Sequence, residues 1–130
     1  MEHNSFRIYD LNKGIIRYKY IVYGNNMTEK NLCSFHIGKN IAETLDFNLG
    51  DRFVIQKSEE YTEDNKIFIL EKSLFGSVLR TYSTSKSSNF LQVFFAERIR
   101  KHFQLPKNKT AKNLDSWVNT NNNSLLIKFP

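Results

Sequence analysis

Apolar and polar positions alternate along most of the chain, and the period changes in only two places. Residues 15–23 read I-I-R-Y-K-Y-I-V-Y, with Tyr18, Tyr20 and Val22 on one face and Arg17, Lys19 and Ile21 on the other. A period of two in β-branched and aromatic residues predicts a strand. Gly24-Asn25-Asn26 ends it, and residues 32–37 predict a second strand. Over residues 38–47 the apolar spacing lengthens, with Ile41 and Leu45 four apart and Ala42 between them, so a short amphipathic helix is expected. Gly50-Asp51 supplies turn chemistry. Strands are expected at 52–57 and 67–71, separated by a polar acidic loop at 59–65.

The same order then returns. Strands are expected at 78–82 and 90–95, around a serine-rich loop at 83–88. A helix at 96–105 carries Ile99 and Phe103 four apart, and a basic turn follows at 106–110. Strands at 111–118 and 125–129 flank a polar loop at 119–123. Adding 58 to Ile37, Ile41, Leu45 and Phe47 gives Phe95, Ile99, Phe103 and Leu105; adding it to Asn65, Ile67 and Ile69 gives Asn123, Leu125 and Ile127. The register runs without a gap from helix to last strand and reads as an internal duplication of a β-β-α-β-β unit.

Composition supports a packed core: of 130 residues, 40% are hydrophobic and 14% aromatic, against only Gly 5 and Pro 2. No apolar run reaches the ~18 residues of a membrane span, and residues 1–10 show no signal-peptide core, so a cytoplasmic protein is expected. One cysteine, Cys33, excludes a disulfide framework and a cysteine-based zinc site. The charge is unevenly placed. Residues 1–75 hold 10 Lys/Arg against 11 Asp/Glu, net −1, whereas residues 76–130 hold 9 against 2, net +7. A one-sided basic surface suits a polyanion.

Residues 34–70 read S-F-H-I-G-K-N-I-A-E-T-L-D-F-N-L-G-D-R-F-V-I-Q, a polar turn, then D-N-K-I-F-I-L. This resembles the AbrB/SpoVT/MazE swapped-hairpin family. Ile37-Gly38 stands where that family has Ile-Pro, and Leu49-Gly50-Asp51-Arg52 matches its turn. In the second half Lys107-Asn108-Lys109 replaces the Gly-Asp turn, and the Asp-x-x-x-Arg signature of the tandem MraZ branch is absent. The resemblance implies that two ββαββ units exchange hairpins to close one shared barrel. The expected fold is therefore mainly β with two short helices (α+β), a small pseudo-two-fold barrel. It forms one domain over residues 1–130, with halves at 14–72 and 76–130.

The family contacts DNA through basic residues in the short helix and on adjacent strands. Carried over by position, the helix pair falls on Ala42 and Glu43 in the first half, which cannot hold phosphate, and on Arg100 and Lys101 in the second. Arg98, Lys107, Lys109 and Lys112 extend this basic element, while Arg17, Lys19, Arg80 and Lys86 could widen it. Tyr18, Tyr20, Tyr23, Phe90, Phe94 and Phe95 are expected in the core, with a base-stacking platform as the alternative.

No catalytic constellation stands out. His3, His36 and His102 lack metal-ligand spacing, and Cys33 has no placed histidine partner. The carboxylates Glu59, Glu60, Glu63 and Asp64 sit in a solvated hairpin loop. No cofactor, metal or enzymatic activity is expected. Two functions are carried forward: a DNA-binding regulator or architectural protein gripping the backbone, and a small inhibitory or adaptor module docking on a protein or nucleoprotein. A monomeric pseudo-dimer and a homodimer are both compatible with the sequence.

Overall fold

The computed structural model describes residues 7–8, 16–23, 30–81, 90–119 and 121–130. In chain order the elements are β1 (Arg7–Ile8), β2 (Ile16–Tyr23), β3 (Lys30–Gly38), α1 (Lys39–Thr44), β4 (Arg52–Lys57), β5 (Lys66–Ser73), β6 (Ser77–Val78) and β7 (Arg80–Thr81). They continue with β8 (Phe90–Ala96), α2 (Glu97–Phe103), β9 (Lys112–Asn113), β10 (Asp115–Asn119) and β11 (Ser124–Phe129). The expected mainly β character with two short helices holds among the described residues. Their strands form two open sheets, in the orders β1-β10-β11-β5-β4-β6 and β7-β8-β3-β2-β9, and neither sheet closes on itself into a ring.

Each sheet contains a central pair made of one strand from each half of the chain. In the five-stranded sheet β3 pairs β8 antiparallel, with Cys33↔Phe95, Phe35↔Val93 and Ile37↔Leu91. In the six-stranded sheet β5 pairs β11, with Phe68↔Ile127 and Ile69↔Leu126. A shift of 58 residues exchanges the two members of each set, as the sequence register requires. The shift is 60 for β4 and β10, because Lys57 faces Phe68 while Trp117 faces Leu126. The gapless register therefore needs correction: the second half has two more residues before its third strand and two fewer in the hairpin after it.

Both helices are shorter than the apolar spacing suggests. Gly38 and Ala96 are extended N-caps (ψ 141° and 161°), so each helix starts one residue later than expected. Asp46 and Gln104 then turn left-handed at φ 58° and 56°. The following N–H groups, of Phe47 and Leu105, donate back to Ala42 and Arg100 carbonyls at 2.8 and 3.0 Å. This closes each helix and drops Phe47 and Leu105 into the core.

Two predicted strands are each split between the sheets. The chain expected as one strand at 78–82 pairs with β4 as β6, crosses at Leu79, and pairs with β8 as β7. Leu79 donates to the Asp51 carbonyl at 2.9 Å and accepts from Gly50 N–H at 3.0 Å, so its backbone is satisfied at the crossing. The strand expected at 111–118 crosses in the same way at Leu114, with β9 on β2 and β10 on β11. Both crossing leucines are buried, and these corners join the two sheets.

The core between the sheets is aromatic. Phe129 meets Tyr18, Phe35 and Phe68 edge-on, with centroids 5.1, 6.1 and 5.6 Å apart. No helix among the described residues is long and apolar enough to cross a membrane.

Candidate nucleic-acid interface

The alternation in β2 decides which of its residues face the core. Ile16, Tyr18 and Tyr20 are buried, which leaves Arg17 and Lys19 on the outer face of the five-stranded sheet. The basic segment after α2 is laid along the free edge of this strand. Tyr20 N–H donates to the Asn108 carbonyl at 2.7 Å, the Tyr18 hydroxyl donates to the Pro106 carbonyl at 2.6 Å, and Leu114 N–H donates to the Ile16 carbonyl at 2.9 Å. Lys112 pairs with Tyr18 and Asn113 with Arg17 in the ladder, and Arg17 Nε donates to Asn113 Oδ1 at 3.3 Å. Lys107, Lys109 and Lys112 are therefore brought beside Arg17 and Lys19 from some 90 positions away in sequence. All three loop lysines are exposed, and none of the five cations forms an ion pair among the described residues.

The outer face of the same sheet extends the cationic surface. Lys19 faces Ser34 across one ladder, and Arg80 faces Gln92 across another. The Arg17 guanidinium stacks over the Phe90 ring at 4.5 Å and that of Arg80 over Phe94 at 5.6 Å. Such stacking holds a guanidinium in place while leaving its N–H edge available. Between them lies a buried polar row: Gln92 Nε2 donates to Ser34 Oγ at 2.9 Å and lies 3.4 Å from His36 Nε2. Burial, with Arg17 and Lys19 adding to it, pushes the His36 imidazole down to about 4, so it is neutral at pH 7.

The helical cations divide. Arg100 is only 8% exposed and sits where the first half has Ala42. Its Nε and Nη2 donate to the two Glu97 carboxylate oxygens at 2.8 and 2.9 Å, Nη1 donates to the Leu105 carbonyl at 2.9 Å, and its plane lies over the Tyr20 ring at 5.3 Å. Those bonds occupy the guanidinium within the fold and hold the Glu97 carboxyl below the usual range. Arg100 is thus a poor phosphate ligand, and the expectation that placed it at the centre of the interface needs revising. The Glu97–Arg100 spacing of three on a helix was the sequence signal for this pairing. Lys101 is exposed on the same helix, and Arg98 lines a cleft against β4 and β6 instead. Lys86 lies outside the described residues.

The aromatic expectation also divides. Tyr18, Tyr20 and Phe95 are buried, whereas Phe90 and Phe94 are half-buried under the two arginines. The side chain of Tyr23 lies outside the described residues. The stacked Arg–Phe pairs and the buried Ser34–Gln92–His36 row were missed, because each joins residues of separate strands. Cys33 is buried; desolvation pushes its thiol up to about 12, which leaves it protonated and unreactive at neutral pH. No family model, curated protein or solved structure matches the chain.

Proposed function

We propose that the protein binds duplex DNA by its phosphate backbone, as a regulator or architectural protein, through the β2 edge and outer face of the five-stranded sheet. The observation that carries this reading is the convergence of Arg17, Lys19, Lys107, Lys109 and Lys112 on one strand edge; none forms a close ion pair among the described residues, and Lys107 acts on the Glu97 carboxylate only at longer range. Each cation that displaces a counterion contributes to affinity, and their fixed backbone positions reduce the cost of ordering them. Arg80 and Lys101 widen the surface; Arg100 supports it from within.

The pairings exchanged by 58 residues support reading the chain as one domain made of two duplicated ββαββ halves with pseudo-two-fold symmetry, an AbrB-like barrel in which the halves exchange hairpins. On this reading the second half diverged towards binding, and no enzymatic step is involved. The alternative, a docking module for a protein partner, is favoured by one observation: the exposed Leu74-Phe75 turn.

A salt-titrated anisotropy measurement on random duplex DNA separates them. With about five phosphate contacts, log affinity falls with log salt at a slope of about −4.5. The triple variant Lys107→Ala, Lys109→Ala, Lys112→Ala should lower that slope by about 3 and weaken binding uniformly across sequences. Absence of binding by the native chain at about 50 mM salt removes the nucleic-acid reading.

A further inference from the structure

The centre of the outer face of the five-stranded sheet differs from its margins. Arg17, His36, Gln92 and Arg80 stand opposite one another on β2, β3, β8 and β7, in one row across the sheet. Three strand spacings put the two arginines about 14 Å apart at the backbone. Each reaches diagonally to a ring of β8, Arg17 over Phe90 at 4.5 Å and Arg80 over Phe94 at 5.6 Å. Between them the row is uncharged, since His36 is neutral at pH 7. The outward positions of β2, β3, β7 and β8 hold no carboxylate.

The Gln92 amide is held in one orientation, with Nε2 donating to Ser34 Oγ at 2.9 Å and lying 3.4 Å from His36 Nε2. Its Oε1 accepts no hydrogen bond among the described residues. An acceptor so enclosed is poorly hydrated, and a ligand N–H placed on it gains a bond at little desolvation cost. Depth decides which ligand reaches it. A base edge in a duplex lies in a groove about 8 Å deep and is met only by side chains that project into it. Ser34, His36 and Gln92 lie flush with the sheet, at 0%, 3% and 8% exposure. Only a base freed from its pair can come down to them.

We propose that the centre of this face takes an unpaired nucleotide of a single strand, its base stacked on an arginine–phenylalanine pair and its N–H edge turned to Gln92 Oε1. The inference rests on the reading that the β2 edge holds a nucleic-acid backbone. The charges are arranged for it. Cations lie at the margins, where phosphates run, and the uncharged row and the two rings lie between them, where a base can stack. Phe90 and Phe94 are about 13 Å apart along β8, nearly four steps of a stacked strand, so they serve separated nucleotides. Every base carries an N–H donor on its pairing edge. The site therefore selects the state of the strand rather than its sequence.

Anisotropy of a labelled mixed-sequence strand of about 12 nucleotides, alone and annealed to its complement, tests it with the full chain at about 100 mM salt. The single strand should bind about tenfold tighter than the duplex, although each of its phosphates contributes less. Phe90→Leu and Phe94→Leu keep an apolar side chain and remove the ring. Each should cost the single strand about fivefold, with duplex affinity unchanged and a melting midpoint close to the native one. Phe94→Tyr, which keeps the ring, should bind both forms as the native chain does. A duplex bound as tightly as the single strand overturns the proposal, and so does native single-strand affinity in both leucine variants; the backbone reading survives either result. Failure of both forms to bind at about 50 mM salt overturns that reading and the proposal with it.

Discussion

Replacing Arg100 with alanine, the residue at the corresponding position of the first half, tests whether this arginine builds the protein or contacts its partner. The guanidinium makes two charged bonds to Glu97 and one to the Leu105 carbonyl, at 2.8–2.9 Å, and covers Tyr20. Severing a fully buried pair costs about 3–5 kcal/mol, because the surviving charge is stranded. Here the Glu97 side chain keeps 23% of its surface in water and can rehydrate. The loss should lie at the low end, about 3 kcal/mol, which includes the unpaired Leu105 carbonyl. For a chain of this size that is a fall of about 10 °C in melting midpoint. Arg100→Lys should recover part of it, since one ammonium cannot reproduce the fork. The coupling with Glu97→Gln in a double-mutant cycle should be at least about 1 kcal/mol. The contribution has a pH sign as well. The Glu97 carboxyl is held below its ordinary value, so its stabilisation is present above the unfolded-state value and is lost as pH falls through the folded one. The assays are thermal unfolding and salt-titrated DNA binding at a temperature where the variant is folded. The expected result is a lowered midpoint with an unchanged salt slope. An unchanged midpoint with a slope reduced by about 1 refutes the reasoning and returns Arg100 to the phosphate backbone.

Three further outcomes are expected. The buried, neutral His36 takes up a proton in the unfolded chain near its ordinary value of 6.5 but in the fold only near 4. Stability therefore falls as pH drops between those values, by about 3 kcal/mol, and denaturant titrations of His36→Gln should show that slope removed. Cys33 should resist thiol reagents at pH 8 in the folded protein and react at the unfolding rate or on adding denaturant; fast labelling under native conditions contradicts its burial. Tyr18→Phe loses the bond to the Pro106 carbonyl, which should cost about 1–2 kcal/mol by chemical denaturation and weaken DNA binding with it; unaltered DNA binding would mean that this bond does not hold the lysine segment in place.

Much of the fold was legible because burial is written locally. The alternation in β2 and the four-residue spacings of α1 and α2 identified their inward faces, and β4 was bounded at Arg52 and Lys57 as observed. The helix ends were overrun because Phe47 and Leu105 continue the apolar spacing, although left-handed turns at Asp46 and Gln104 had already ended each helix. The basic loop and strand residues were legible as charges, but not their meeting with β2.

The sequence by itself determined the order of elements from β2 onward, most of their buried faces, the shift of 58 between halves outside β4 and β10, and the uneven charge. These follow from residue type and spacing, which act over a few positions. Only the tertiary structure decided that the chain changes sheets at Leu79 and Leu114, that Arg100 is enclosed by Glu97, Leu105 and Tyr20, and that residues 106–113 run along β2. The physical reason is that periodicity tells which side of a strand is dry but not which edge it will pair with. A cation looks alike in sequence whether it ends in water, on an aromatic ring or against a carboxylate.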